Sequence, residues 1–226
     1  MSPHLSTRLS AEFIGTFALI FIGAGAGALG LGGVVGVAFA HGLVVATFVS
    51  GYGPISGCHI NPAVTVSVWV ARQISPRDAG LYIVVQLLGG IAGGLLLRFV
   101  LGGPETGLGA TVLAENLAIG DVSISVTPLA GLVLEIILTF FLANAVLNTA
   151  VAGRGGDVAA LAIGLTLTFC ILMGGPLTGA SLNPARTIGP AIATGIFSDI
   201  WLYIVGPVVG GILAGILYNA KLKDAA

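Results

Sequence analysis

What this chain has least of is charge. Its 226 residues include eight Lys and Arg and nine Asp and Glu, 8% charged in all, where a soluble domain carries about 25%. With 56% hydrophobic residues and a mean hydropathy of +1.09, it cannot cover a water-facing surface with polar groups. That leaves a polytopic membrane protein, with the lipid bilayer as its surroundings. A net charge of −1 excludes the basic face that nucleic acid requires. Cysteine is scarce too: Cys58 and Cys170 make no disulfide framework. The sequence shows no nucleotide motif, no nucleophile–base pair and no metal-ligand spacing, so neither an enzyme, a cofactor nor a metal is expected. It also lacks the cluster of carboxylates or hydroxyls that would hold the coupling ion of a secondary transporter.

What is present is written twice. His59-Ile60-Asn61-Pro62-Ala63-Val64-Thr65 returns as Ser181-Leu182-Asn183-Pro184-Ala185-Arg186-Thr187, an offset of 122 residues. Glu12 and Glu135, 123 apart, each open an apolar run. The whole chain, 1–226, therefore reads as one domain of two repeats, about 8–101 and 128–220, linked by 102–127. Six spans are expected: 8–29, 34–52, 79–101, 128–149, 158–175 and 200–219. The first is a membrane span and not a cleavable signal, because its apolar run outlasts an h-region and carries Glu12.

Between spans lie two odd pieces, 53–71 and 179–194. Gly53, Pro54, Ser56 and Gly57 should break any helix, and Asn61-Pro62 should then start a short one, with Asn as cap and Pro at the first helical position. The run 62–71 is too short to cross a bilayer and fits a re-entrant segment. With the N-terminus inside, Arg8, Arg72, Arg77, Arg154, Lys221 and Lys223 all fall on the inner side, a strong positive-inside bias. Three spans per repeat invert one half relative to the other, so the Asn-Pro-Ala segments enter from opposite faces and can meet.

Non-helical backbone at membrane depth survives only where it lines protein or a water-filled cavity. Gly57-Cys58-His59-Ile60 and Gly179-Ala180-Ser181-Leu182 are such backbone, and a file of water would satisfy their carbonyls. Asn61 and Asn183 each stand at a half-helix N-terminus, where two amides could donate to one water while two positive dipole ends repel cations. Arg186, a charge at membrane depth, reads as functional. Glu12 and Glu135 read as buried acceptors for the re-entrant loops, and His59 as a packing and hydrogen-bonding element beside one of them.

These words resemble the major intrinsic protein family, the aquaporins and glycerol facilitators, and more closely its aquaporin side. The resemblance rests on Ala11-Glu12-Phe13-Ile14-Gly15-Thr16-Phe17, on Ser56 to Thr65 and on Asn183-Pro184-Ala185-Arg186. It covers the chain apart from the loop 102–126. It implies an all-α polytopic fold, six transmembrane helices plus two re-entrant half-helices in a right-handed bundle with inverted repeats, and a pore in each subunit of a homotetramer. It implies a passive channel for water that excludes protons and ions, with ammonia or hydrogen peroxide as further solutes. A broader facilitator for glycerol or urea is the alternative. The expected location is a prokaryotic plasma membrane with both termini in the cytoplasm.

By the family's spacing, its four filter positions fall on His41, Ile171, Ala180 and Arg186. Typical water-specific members have an aromatic and a histidine at the first two; here the histidine comes first and an aliphatic second, as in the plant vacuolar branch. The histidine that some of that branch carry in the loop after the third span is missing from 102–126. Thr187, Ala191 and Tyr203 stand where glycerol facilitators usually have Asp, a basic residue and Pro. Ile204 replaces the Trp usual in water channels.

Overall fold

The computed structural model describes residues 3–30 and 32–223; the extreme ends of the expected 1–226 domain and Leu31 lie outside the described residues. Among the described residues, six helices are long and apolar enough to span a membrane. They are α1 (Leu5–Leu29), α2 (Gly33–Ser56), α4 (Pro76–Val100), α5 (Pro128–Val151), α6 (Gly156–Thr178) and α8 (Leu202–Leu222). Two short helices, α3 (Pro62–Val70) and α7 (Pro184–Thr194), stand at the two odd pieces.

Local sequence sets the starts. Four helices open on a polar cap followed by proline: Asn61-Pro62, Ser75-Pro76, Thr127-Pro128 and Asn183-Pro184, and each cap side chain accepts a backbone N–H of the first turn. Proline costs nothing there, since its missing N–H would have had no helical partner. Such a cap contributes about 1 kcal/mol.

Small residues set the packing. α4 uses two glycine faces at once. A Cβ on Gly89 would fall 2.5 Å from the carbonyl of Phe13 in α1, and one on Gly94 would fall 2.5 Å from that of Gly189 in α7. The long helix therefore clamps the short one against the bundle with backbone nearly in contact, as membrane helices do when lipid gives them no hydrophobic drive to associate. α8 holds α3 in the same way, through Gly211 and the carbonyl of Ala63. Elsewhere α2 packs along α6 and α5 along α8.

Two readings of the sequence need correction. Gly53 and Pro54 do not end α2, which runs through both to Ser56. Pro54 removes only the bond to the carbonyl of Ser50, one turn from the helix end, and both residues line a cavity where water can reach that carbonyl. α6 likewise runs through Pro176 to Thr178. The breaks come at Gly57 and Gly179, with φ of +87° and +75°, values that glycine adopts without steric cost. Secondly, the first span starts earlier than the expected 8–29. α1 begins at Leu5, and Glu12 lies two turns in, fully buried. The loop 102–127 also has structure of its own: a 3-10 turn at Gly107–Gly109 and a two-stranded ribbon, β1 (Leu117–Ile119) with β2 (Val122–Ile124).

Candidate functional site

The two segments before the half-helices are built alike. Cys58 and Ile60 have φ of +48° and +42°; Ala180 and Leu182 have +43° and +54°. This costly backbone is held by the buried glutamates. Glu12 accepts the N–H of His59 (2.9 Å) and of Ile60 (2.7 Å), the Ser56 hydroxyl and the Gln86 amide. Glu135 accepts the N–H of Ser181 (2.9 Å) and of Leu182 (2.8 Å), and the Thr178 hydroxyl. Ser56 and Thr178 in turn accept the N–H of Cys58 and Ala180. Tyr82 and Tyr203 donate to the last helical carbonyls, Ser56 and Thr178, each at 2.8 Å.

With the N–H groups turned toward the glutamates, the carbonyls are left over. Those of Gly57, Cys58 and His59, and of Gly179, Ala180 and Ser181, accept no hydrogen bond from the described residues. Gly57 is exposed and Gly179 half-buried, but the other four residues are buried, and buried carbonyls without partners are rare unless water serves them. The next carbonyl in each segment has a partner in the opposite repeat. Asn61 Nδ2 donates to Leu182 (2.8 Å) and Asn183 Nδ2 to Ile60 (3.0 Å). Each Asn Oδ1 also caps its own half-helix.

Each amide spends one N–H on the opposite segment and keeps one that a shared water could accept. The bonds that join the two half-helix N-termini therefore also aim the remaining donors.

Three cavities follow one another through the bundle. The central one is lined by His41, Cys58, Asn61, Asn183 and Arg186 among others, and leaves about 30 Å³ for the centre of a water-sized sphere. That suits a narrow file and not a chamber, one water needing about 10–15 Å³ by this measure. His59, Val49 and Val146 are shared with the cavity on the side that carries the termini. Arg186 is shared with the cavity on the far side, which also touches Ile171 and Gly179. His59 and Arg186 thus stand at the two necks.

Of the four expected filter positions, His41 and Arg186 line the central cavity and Ile171 the far one, while Ala180 lines none of the three. Ala180 is small and buried, and Gly174 packs on it. His59 Nδ1 lies 3.2 Å from the Thr65 hydroxyl and its ring meets Tyr82 edge-on, so it packs as expected while also facing the cavities. Cys58 lines the central cavity; Cys170 is tucked against the Leu138 carbonyl at 3.6 Å.

Sequence reasoning missed the supports. Gln86 bridges Glu12 and Thr65. In the inter-repeat loop, the Gly109 carbonyl accepts from Arg186 Nη1 at 2.6 Å, and Thr111 meets the Thr187 hydroxyl at 2.9 Å. Two alternate loop residues thus hold two consecutive residues of α7. Tyr82 and Tyr203, 121 apart, were detectable by the repeat; Gly109 and Thr111 have no counterpart that would have marked them.

Comparison with known proteins agrees with this geometry. Residues 1–218 match the family model described as Major intrinsic protein. The chain is 41% identical to Aquaporin TIP2-1 of Arabidopsis thaliana over 222 residues, 92% of this chain and 84% of that one. It is 39% identical to Aquaporin-5 of Mus musculus over 214 residues, 92% and 78%. It is 38% identical to Aquaporin NIP1-1 of Oryza sativa subsp. japonica over 218 residues, 94% and 73%. The solved aquaglyceroporin of Plasmodium falciparum shares the fold, with a TM-score of 0.82 at 24% identity over 96% of this chain and 97% of that one.

Proposed function

The chain belongs to the major intrinsic protein family and is an integral membrane channel; from that premise we propose that it conducts water passively, excludes protons and ions, and passes glycerol poorly. The observation that carries this is the row of unpartnered carbonyls along a file about one water wide, with two asparagine donors at its middle. A water moving along the file can exchange one carbonyl for the next and never lacks an acceptor. At the middle, Asn61 and Asn183 offer donors, so a water there must turn its oxygen to them. Two half-helix N-termini add positive potential at the same place, and Arg186 adds a full charge at the far neck. A proton meets both, and a neutral solute meets neither as a barrier.

In this reading the site comprises the Asn-Pro-Ala residues 61–63 and 183–185, the carbonyl segments 57–60 and 179–182, and the filter His41, Ile171, Ala180 and Arg186. The two repeats lie inverted, with both termini in the cytoplasm of a prokaryotic cell. Ammonia and hydrogen peroxide are the next candidate solutes. The reading includes a homotetramer. Val35, Phe39 and Leu43 on α2, and Leu161, Leu165 and Phe169 on α6, form exposed apolar stripes at four-residue spacing, open to lipid or to a neighbouring copy.

The test is stopped-flow light scattering on proteoliposomes. Water permeability should exceed that of empty vesicles at least about tenfold with a low activation energy, and glycerol should stay within about twofold of empty vesicles, as the narrow neck requires. Glycerol flux that rises in step with water flux would move the protein to the facilitators.

A further inference from the structure

The two half-helices end on matching carbonyls, and a side chain from the last turn of a long helix meets each. Asn219 Nδ2 in α8 donates to the Val70 carbonyl at the end of α3 (2.7 Å). Arg98 Nη1 in α4 donates to the Ala193 carbonyl in the last turn of α7 (2.8 Å). Arg98 and Asn219 lie 121 residues apart, Val70 and Ala193 123 apart, so the two ties are one feature written in both repeats. A neutral amide serves in one half and a guanidinium in the other. The amide suffices for the tie, so the charge on Arg98 needs another reason. In the orientation proposed above, six of the eight Lys and Arg lie at the inner side and Arg186 lies in the pore. Arg98 alone among them stands at the outer membrane surface, against the positive-inside bias. Among the described residues no carboxylate pairs with it.

The surroundings of Arg98 combine both signs of charge with an apolar wall. Leu95, Phe99 and Val100 beside it on α4 are exposed, Phe99 by 81%, so the guanidinium stands where lipid-facing side chains meet water. After Val100 the chain folds back. The Gly103 N–H donates to the Arg98 carbonyl (3.0 Å), and the Glu105 carboxylate lies over Gly103, where a Cβ would collide with it. Arg98 and Glu105 thereby line one open groove of about 620 Å³, with Leu95, Phe99 and Pro104. Arg98 gives one N–H to Ala193 and keeps the others, and a guanidinium holds phosphate through paired, charge-assisted hydrogen bonds.

We infer that this groove binds a zwitterionic phospholipid with an ammonium headgroup: its phosphate sits on Arg98, its ammonium on Glu105, and its acyl chains run past Leu95 and Phe99. Such a lipid answers the charge that the protein leaves open at both residues. A soluble phosphate would leave the apolar wall and Glu105 unmet. Because Arg98 also holds the end of α7, whose first turn carries Arg186, the bound lipid is tied to the helix of the candidate filter. The site stands on α4 spanning the membrane and not on the reading of the central cavity as a pore.

The test is native mass spectrometry of the channel released from detergent micelles, with dioleoylphosphatidylethanolamine, dioleoylphosphatidylglycerol or inorganic phosphate added. The parent should retain phosphatidylethanolamine about threefold or more above phosphatidylglycerol, whose headgroup brings no ammonium to Glu105, the scale of one exposed ion pair. Inorganic phosphate should not compete. Arg98→Gln keeps a donor for Ala193, as Asn219 does for Val70, and should retain about fivefold less phosphatidylethanolamine, the scale of a hydrogen bond to a charged group. Glu105→Gln should retain the two lipids alike. Unchanged retention in Arg98→Gln, or an unchanged headgroup preference in Glu105→Gln, would overturn the site. So would competition by inorganic phosphate, the mark of a soluble-anion site. An Arg98→Gln substitution that alters the number of copies in the particle, and not the bound lipid, would overturn it too, the groove then being a contact between copies. Should Arg98→Gln not assemble, the parent's preference and its loss in Glu105→Gln decide alone. Water flux of the same preparation in proteoliposomes keeps the two readings apart: a channel that retains the lipid and passes no water would sink the pore and leave the site.

Discussion

Glu12→Ala and Glu135→Ala are expected to yield no stable channel. Each carboxylate is fully buried and anchors two backbone N–H groups of a segment whose φ values are positive at alternate residues. Alanine takes the acceptor away from both N–H groups, at about 1–3 kcal/mol each, and frees the strained segment to relax. The sum, roughly 2–6 kcal/mol from the two N–H groups alone, reaches the range where single substitutions unfold proteins. Glutamine should separate the two sites. At 135, an amide nitrogen in place of Oε2 faces a single donor, the Leu182 N–H. At 12, either orientation faces two donors: Ser56 with His59, or Ile60 with Gln86. Glu135→Gln should therefore be recovered in better yield and melt higher than Glu12→Gln. Monodisperse yield in detergent and thermal unfolding of the four variants are the readouts. An alanine variant that melts with the parent and conducts water would show that the loops hold themselves.

Arg186→Val should produce the largest change in selectivity. The side chain fills the far neck and carries its one charge, held by the Gly109 carbonyl. A cation 4 Å from it at an effective permittivity of 20 is repelled by about 4 kcal/mol. Because the half-helix N-termini supply part of the barrier, proton and cation leak should rise about 10–100-fold and not without limit. Valine also opens the neck, so urea and glycerol permeability should rise about tenfold. Equal leak of protons, urea and glycerol in variant and parent would place Arg186 outside the filter. Thr111→Val, which breaks the neighbouring tie to Thr187 and keeps the charge, should leave the proton barrier within about threefold.

How far these conclusions were open to the sequence depends on whether a feature is written twice. The Asn-Pro-Ala segments and the glutamates were legible because each half repeats them, and a position that recurs at a fixed offset must serve something both halves share. The structure fills in the same pair of backbone N–H bonds on both sides. Pro54 misled for a physical reason: proline breaks a helix in mid-course but not in its last turn, where the carbonyl it orphans can meet water. The hydrogen bond from each asparagine to the opposite segment could not be read, since it depends on how the halves meet. Gly109, Thr111 and Gln86 were hidden because each serves one half only. Gln86 sits where the second half has Pro207, so no echo called it out.

Water and proton flux recorded in the same vesicles test the central claim most directly. Proteoliposomes loaded with a pH-sensitive dye are given an osmotic step and then a pH step. Water permeability well above that of empty vesicles, with an unchanged rate of pH equilibration, is the result the paired asparagines and carbonyl rows require. A pH response that quickens in proportion to the water permeability would contradict the account. It would mean that protons follow the water file past Asn61, Asn183 and Arg186.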